Sequence, residues 1–162
     1  MKKRAIEIKW GVLFSVMMIL WMMLEKSLGW HDELIEKHHL YTNFVAIPAI
    51  AFYLMALVDK RKNFYGGVLT YKQGLISGLF VSFMVMLLTP LSQLIISLYI
   101  TPNYFTNAIA FVVESKHMTQ YEAENYFNLS NYTIQSTMYS PIMGVITTAI
   151  LALFVKRKPK ID

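Results

Sequence analysis

Long apolar runs separated by short polar segments dominate the pattern of this chain. Four runs carry few or no charged positions, and they cover approximately residues 8–28, 40–58, 74–99 and 134–155. A helix needs about 20 mostly apolar residues to cross the hydrocarbon core of a bilayer, so each run is close to a spanning length. The pattern therefore predicts an all-α integral membrane protein with four transmembrane helices in two hairpins. Residues 1–162 form a single membrane domain in this interpretation.

The ends of the first and third runs refine this prediction. Lys9, Glu25 and Lys26 flank the first run, and we expect their side chains to extend their charged heads toward the membrane interfaces. The sequence after this run lacks the small-x-small cleavage pattern, which favours an uncleaved anchor over a signal peptide. The third run is uncharged over 26 residues, so we expect it to tilt or to bend at Pro90.

Composition agrees with a membrane protein and excludes several kinds of chemistry. Hydrophobic residues make up 56% of the chain and charged residues 15%, with a mean hydropathy of +0.43. A soluble domain of this length is normally far less apolar. Because the chain has no cysteine, it has no disulfide framework, thiolate zinc site, iron–sulfur cluster or cysteine nucleophile.

The distribution of charge predicts the orientation of the helices. Twelve of the 15 Lys and Arg residues lie in the two terminal segments and the middle loop, whereas seven of the ten acids lie in the other two loops. These cations are Lys2, Lys3, Arg4, Lys9, Lys60, Arg61, Lys62, Lys72, Lys156, Arg157, Lys158 and Lys160. Short loops rich in Lys and Arg stay in the cytoplasm, so both termini are expected there, in a bacterial cytoplasmic (inner) membrane. This topology explains the basic pI without a nucleic-acid partner.

The external loop between the third and fourth runs, approximately residues 100–132, is predicted to be helical. Thr101 and Pro102 have the pattern of a helix start, in which a capping residue precedes a proline of the first turn. Thr119 and Glu122 have the spacing of a capping box, which predicts a second helix through about Asn128.

The first external loop concentrates side chains that are chemically able to bind a divalent metal. They are His31, Asp32, Glu36, His38 and His39. Their spacing matches no recognised ligand signature, so we expect a solvated acidic loop and assign no metal, cofactor or catalytic residue. Metal binding by this loop is the weaker alternative.

Small residues recur at every fourth position in the third and fourth runs. The predicted helix-packing residues are Gly74, Gly78, Ser82, Ser136, Ser140, Gly144, Thr148 and Ala152. Helices in lipid associate through close backbone approach at such positions. We expect packing within one chain, and the alternative is a seam between copies of the chain.

The polar residues inside the runs are neutral, and no catalytic motif is present. If a polar cavity exists, its expected residues are Thr89, Pro90, Gln93, Gln135, Tyr139 and Pro141. The sequence therefore favours a non-enzymatic accessory or assembly component, partnered by the lipid bilayer and by another membrane protein or a second copy. The alternative is a small homo-oligomeric transporter or channel subunit with a polar path between the third and fourth helices.

Four short segments carry a family resemblance. They are residues 66–75, residues 101–105, residues 118–122 and the Ser140-Pro141-Ile142 step into the last helix. In this order they resemble the bacterial membrane family called domain of unknown function 4199 (DUF4199), over nearly the whole chain. The resemblance implies a cytoplasmic-membrane protein of four helices, and it implies no activity because the family is uncharacterised.

Overall fold

The computed structural model describes residues 4–158, and most of that range is helical. Its α-helices are α1 (Ala5–Ser27), α2 (His38–Tyr41), α3 (Ala46–Asn63), α4 (Tyr71–Ile95), α5 (Tyr104–Glu114), α6 (Gln120–Tyr126) and α7 (Leu129–Val155). Four helical stretches of the described chain are long and apolar enough to cross a membrane: Ala5–Ser27, Ile35–Asn63, Tyr71–Ile100 and Leu129–Val155. The predicted all-α class with four membrane-length helices is confirmed. Lys2, Lys3 and Lys160 lie outside the described residues.

The second membrane-length stretch is a series of helical turns rather than one regular helix. It begins with a 3₁₀ turn at Ile35–Lys37, continues through α2 and a second 3₁₀ turn at Thr42–Val45, and then becomes α3. The stretch starts before the apolar run itself, which the sequence placed at residues 40–58. Its first turns therefore carry polar side chains toward the end of the bundle.

The other three long helices, α1, α3 and α7, pack around α4, which contacts α7 most extensively and α1 next. A core of Tyr53, Ala56, Val81 and Val85 lies between α3 and α4. Trp10 and Phe14 of α1 pack against it, together with Leu151 of α7. These side chains fix the bundle from its centre, because close packing is the main attraction between helices in lipid.

The seam between α4 and α7 is built from small residues. Six of the eight predicted packing residues are buried there: Gly74, Gly78, Ser82, Gly144, Thr148 and Ala152. A Cβ atom added at Gly78 would overlap Thr148, and one added at Gly144 would overlap Ser82. The two helices thus approach each other through contacts made within one chain.

Large apolar side chains cover the outside of the long helices. Ile47 is 70% exposed and Phe154 is 77% exposed, with many others along all four membrane-length stretches. Exposed apolar surface on this scale would be a liability in water, but it is what a hydrocarbon environment requires. The described helices therefore form a multi-pass membrane protein.

The segment that follows α4 ends differently from the prediction. The helix continues as a π turn, Ile96–Ile100, and the backbone N–H of Thr101 closes that turn by donating to the Ile96 carbonyl at 2.8 Å. The Thr101 hydroxyl donates to the same carbonyl at 3.3 Å. The prediction that Thr101 caps the next helix is wrong, because its side chain is used backward along the chain; α5 begins at Tyr104, with Asn103 as its N-cap residue.

The predicted capping box at the start of α6 is confirmed. The backbone N–H of Glu122 donates to the Thr119 hydroxyl at 3.3 Å, and the Thr119 N–H donates to the Glu122 carboxylate at 2.9 Å. The backbone N–H and the hydroxyl of Thr119 lower the pKa of the Glu122 carboxyl, because both donate to its charged form. A separate cap then starts α7, where the Asn128 side chain accepts from the Asn131 N–H at 2.9 Å.

The bundle has two chemically different ends. The basic end carries Arg4 and Lys9, residues 59–72 from the last turns of α3 to the start of α4, and residues 156–158 after α7. There Leu69 and Arg157 exchange two backbone hydrogen bonds of 3.1 and 2.8 Å. The other end carries residues 28–37 and the cap, which we define as residues 101–128 with α5 and α6. The cap thus covers the bundle opposite the basic end.

Candidate functional site

Five side chains from five separate segments converge beneath the cap. Glu25 comes from the last turns of α1, His31 from the following loop, His38 from the start of α2, Tyr104 from the start of α5 and Tyr132 from the first turn of α7. We call Glu25, His31 and His38 the histidine–carboxylate cluster. In this cluster the loop after α1, the start of α2 and the end of α1 meet beneath the cap.

The end of α1 places Glu25 and His31 beside each other. The backbone N–H of Leu28 closes the helix by donating to Leu24 O at 3.0 Å, and the Trp30 N–H donates to Glu25 O at 3.1 Å. Gly29 has a φ of +73°, which reverses the chain direction at a position where a Cβ would be strained. The loop therefore returns immediately over the helix end and carries His31 to Glu25.

Glu25 is the centre of the cluster. Its Oε2 lies 2.9 Å from His31 Nε2 and 3.3 Å from His38 Nε2. Its Oε1 accepts a hydrogen bond from Trp21 Nε1, one helical turn earlier. Glu25 is completely buried and His31 is 2% exposed. The carboxylate is thus held by three ring nitrogens away from solvent.

Two tyrosines extend the cluster toward the cap. The Tyr104 hydroxyl lies 3.5 Å from His38 Nδ1 and 3.0 Å from the Tyr132 hydroxyl. The Tyr104 ring packs against both imidazoles, with centroid distances of 5.3 Å to His31 and 5.2 Å to His38. Burial raises the pKa of the Tyr104 hydroxyl. Tyr104 therefore acts as a neutral hydrogen-bonding group beside His38.

His31 is also held from the cap through its backbone. Asn107 donates to the His31 carbonyl at 3.0 Å and to the Asp32 carboxylate at 2.7 Å. The Nδ1 atom of the His31 ring is buried without a hydrogen-bond partner. A buried nitrogen without a partner is uncommon, and at a functional site it often points to a bound water or ion.

Two cavities adjoin the cluster. One of about 60 Å³ is lined by Lys26, His31 and Asp32 and by residues 101–104 of the cap. The other, of about 370 Å³, is bordered by His38, Tyr104 and Tyr132, with apolar side chains of α5 behind them. The cluster is therefore buried within the protein but has open space on two sides.

The arrangement supplies a ligand set that the sequence alone did not reveal. One donor atom from each of Glu25, His31 and His38 lies within 4.8 Å of the others, a spacing that could hold a metal ion. The expectation that Glu25 extends toward the interface is wrong, since its side chain points into the protein. Glu25 was missed as a ligand because its position at the end of the first apolar run, beside Lys26, was interpreted as a membrane interface.

The other loop residues put forward as metal ligands are placed elsewhere. Asp32, Glu36 and His39 are exposed, so only His31 and His38 of that group enter the cluster. The loop is not one regular helix but a turn followed by short helical segments, and it separates these side chains.

A second buried group of charged side chains lies at the basic end. The Lys60 ammonium of α3 is 3.0 Å from the Glu7 carboxylate of α1, and both residues are 1% exposed. Glu7 also accepts from the Ser77 hydroxyl of α4 at 3.1 Å and from Arg4 at 3.1 Å. This group ties three long helices together, and the sequence prediction missed it because its members are far apart along the chain.

The residues predicted to line a polar cavity are not all brought together. Thr89 donates to Val85 O at 2.8 Å and lies 3.5 Å from the Ser140 hydroxyl across the α4–α7 seam. Gln93 of α4 donates to the Ser97 hydroxyl in the following π turn at 2.9 Å. Tyr139 is 61% exposed on the outer surface of the bundle.

The remaining predicted polar and packing residues lie along α4 and α7. Pro90 lies inside α4 and Pro141 inside α7, and both are half-buried. Gln135, Ser136 and Ser140 are also half-buried, and Ser136 and Ser140 bond carbonyls of their own helix. The polar side chains of α7 are thus used mainly within that helix.

Comparison with known proteins gives a family but no further relatives. No curated protein and no solved structure matches the chain. The model of one family, described as a protein of unknown function (DUF4199), matches residues 9–157. This match covers nearly the whole chain, including the cap, most of the first membrane-length helix and the whole of the other three. The chain is therefore a member of the DUF4199 family.

Proposed function

We propose that the protein is a non-enzymatic accessory or assembly component of a membrane complex, held in the bilayer by its helix bundle. The observation that carries this proposal is the closed α4–α7 seam. Neither Gly78 nor Gly144 has room for a single methyl group against the opposite helix. A seam this close fixes the relative position of two helices, as a scaffold requires.

Hydrogen bonds inside the bundle support the same role. The Tyr53 hydroxyl lies 2.9 Å from the Ser82 hydroxyl, which donates to Gly78 O at 2.9 Å. Such interactions hold helices together, whereas a transport path needs side chains that can exchange partners with a solute. The alternative of a homo-oligomeric transporter or channel subunit with a path between α4 and α7 has less support for this reason.

The cap is the surface that we assign to partner contact. Tyr121 of α6 is 77% exposed and borders an open groove of about 550 Å³ with Met118 and Tyr126. Tyrosine and methionine are enriched in protein interfaces because they offer large contact areas. The partner in this proposal is another membrane protein or a second copy of this chain.

The proposed location is a bacterial cytoplasmic (inner) membrane, with both termini in the cytoplasm and the cap outside. The basic end carries Arg61 and Lys62 in the last turn of α3, and Lys156 and Arg157 after α7. Positively charged segments of this length are retained on the cytoplasmic side during insertion. Among the charged side chains of the cap end, in contrast, acids outnumber lysines and arginines.

Purification in a mild detergent from the native membrane, followed by mass spectrometry, tests the accessory role. We expect one stoichiometric partner with the wild type and with Tyr139→Ala, whose tyrosine faces outward from the bundle. Tyr121→Ala should reduce recovery of that partner by about tenfold or more, as loss of an aromatic anchor does in other interfaces. Tyr139→Ala is a matched control because it removes the same side chain from a different surface.

Two results would argue against the accessory role. One is a chain that is recovered alone from every preparation and catalyses solute flux in proteoliposomes, which would support the transporter alternative. The other is a partner that is retained equally by Tyr121→Ala and the wild type, which would remove the cap from the interface.

A further inference from the structure

We propose that Glu25, His31 and His38 bind one divalent transition-metal ion, with Zn²⁺ as the simplest example, beneath the cap. Two imidazoles and one carboxylate form a ligand set that zinc and other first-row divalent metals use in proteins. This inference concerns a binding site and does not depend on the proposed accessory role.

The spacing of the donor atoms fits a metal site. Zinc binds histidine nitrogen and carboxylate oxygen at about 2.0–2.2 Å, so two ligands of a tetrahedral ion lie about 3.3 Å apart. The distances from Glu25 Oε2 are 2.9 Å to His31 Nε2 and 3.3 Å to His38 Nε2. All three donor atoms lie within 4.8 Å of one another, so adjustment of these side chains would let one ion contact all three.

Burial of Glu25 gives the ion an electrostatic role. The carboxylate is completely buried, and its contacts with His31 and Trp21 are to ring nitrogens. An ionised carboxylate in such a place needs a nearby positive charge. A divalent cation between the carboxylate and the two imidazoles supplies that charge without a protonated histidine.

Groups around the donor atoms are arranged as supporting contacts of a metal site. Trp21 donates to Glu25 Oε1, the carboxylate oxygen that the histidines do not share. The Tyr104 hydroxyl stands beside His38 Nδ1, the ring nitrogen that does not face Glu25, and contacts Tyr132 in turn. Bonds of this kind orient metal ligands and strengthen binding.

The structure also has space for a bound water beside His31. The cavity beside His31 has a volume of about 60 Å³, and Asp32, Thr101 and Lys26 contribute polar groups to its wall. A single water needs only about 10–15 Å³ of such space and two or more polar partners.

The proposed ion would join α1, α2 and the loop between them directly, and the cap through Tyr104. Because metal binding to a folded site adds to stability, occupancy should raise the melting temperature. The two exposed histidines, His39 and His117, lie outside the cluster and provide natural controls.

Isothermal titration calorimetry with Zn²⁺ on the detergent-solubilised full chain, after chelator treatment, tests the site. We expect one ion per chain for the wild type, His39→Ala and His117→Ala. Glu25→Gln and His38→Ala should each bind more than about 100-fold more weakly. Trp21→Phe, which keeps the ring contact but removes the donor, should bind about 10–100-fold more weakly.

Substitution with Co²⁺ provides a second readout, because its visible spectrum reports tetrahedral coordination by nitrogen and oxygen. We expect that spectrum in the wild type and its loss in His38→Ala, whose partly exposed side chain is the ligand least needed for folding. The proposal is overturned if the wild type binds no Zn²⁺, or if folded His38→Ala binds it with wild-type affinity. It is equally overturned if His39→Ala weakens binding as much as His38→Ala does. After any of these outcomes, Glu25, His31 and His38 would be interpreted as a hydrogen-bonded cluster without a metal ion.

Discussion

At the scale of single residues, α1 shows how a membrane-length helix accommodates two buried acids, Glu7 and Glu25. Glu7 and Glu25 are 18 positions apart, which is five full turns at about 3.6 residues per turn. They therefore share one face of α1, and each is buried at an opposite end of the bundle, Glu7 against Lys60 and Glu25 against His31. Each acid is compensated locally, which keeps buried charge away from the middle of the membrane.

Replacement of Lys60 by methionine should destabilise the protein strongly. The substitution keeps the length of the side chain but leaves the buried Glu7 carboxylate without the ammonium 3.0 Å away. Loss of one member of a buried pair typically costs about 3–5 kcal/mol, and we expect the lower part of that range because Arg4 still contacts Glu7. Denaturant unfolding in detergent micelles, followed by circular dichroism, measures the change.

The double variant Glu7→Gln/Lys60→Met separates the charge effect from loss of packing. The neutral amide introduced by Glu7→Gln would still reach Ser77, so most of the lost stability should return in the double variant. Lys62→Met, at an exposed position in the same last turn of α3, should change stability by less than about 0.5 kcal/mol. Equal loss in the single and double variants would mean that the pair acts through its shape alone.

At the scale of elements, the bundle depends on the contact between α4 and α7. The repeat of small residues places Gly78 against Thr148 and Gly74 against Ala152, so the backbones of the two helices approach each other closely. The backbone hydrogen bonds between Leu69, just before α4, and Arg157, just after α7, reinforce this alignment at one end of the pair. One added methyl group at the seam should therefore push the two helices apart and weaken their packing along its length.

Gly78→Ala should destabilise the α4–α7 pair by about 1–3 kcal/mol, as overpacking does in other close-packed interiors. Its new Cβ would overlap the side chain of Thr148, which is completely buried and cannot turn away into lipid. Val145→Leu, which adds one carbon atom on the exposed face of α7, should be nearly neutral. Thermal unfolding of both variants in the same detergent provides the comparison.

A compensating change identifies the contact responsible. Gly78→Ala combined with Thr148→Gly moves the space to the opposite helix and should recover part of the stability. The Thr148 hydroxyl is buried without a hydrogen-bond partner, so its removal sacrifices no bond. No recovery in the combined variant would show that the alanine acts elsewhere.

At the scale of the whole molecule, the sequence predicted the number and type of the long helices but not what lies inside them. Apolar runs determine which segments can span a bilayer, and the capping box at Thr119 follows from local chemistry alone. The composition of a run does not say which way its one acid faces, so Glu25 was expected at the interface. Lys60 and Glu7 are 53 positions apart, and their contact exists only after α1 and α3 have packed.

Labelling of single cysteines tests the proposed orientation of the whole molecule. The chain has no cysteine, so each introduced thiol is the single target for a membrane-impermeant maleimide. Glu33→Cys lies in an exposed loop at the cap end, and Lys62→Cys lies exposed at the basic end. If positive charge retains the basic end in the cytoplasm, spheroplasts should be labelled at position 33 when intact and at position 62 only after lysis. The reverse pattern would invert the topology and place the histidine–carboxylate cluster on the cytoplasmic side. Labelling at both positions in intact spheroplasts would instead indicate two orientations in the membrane, which the strong charge difference between the two ends argues against.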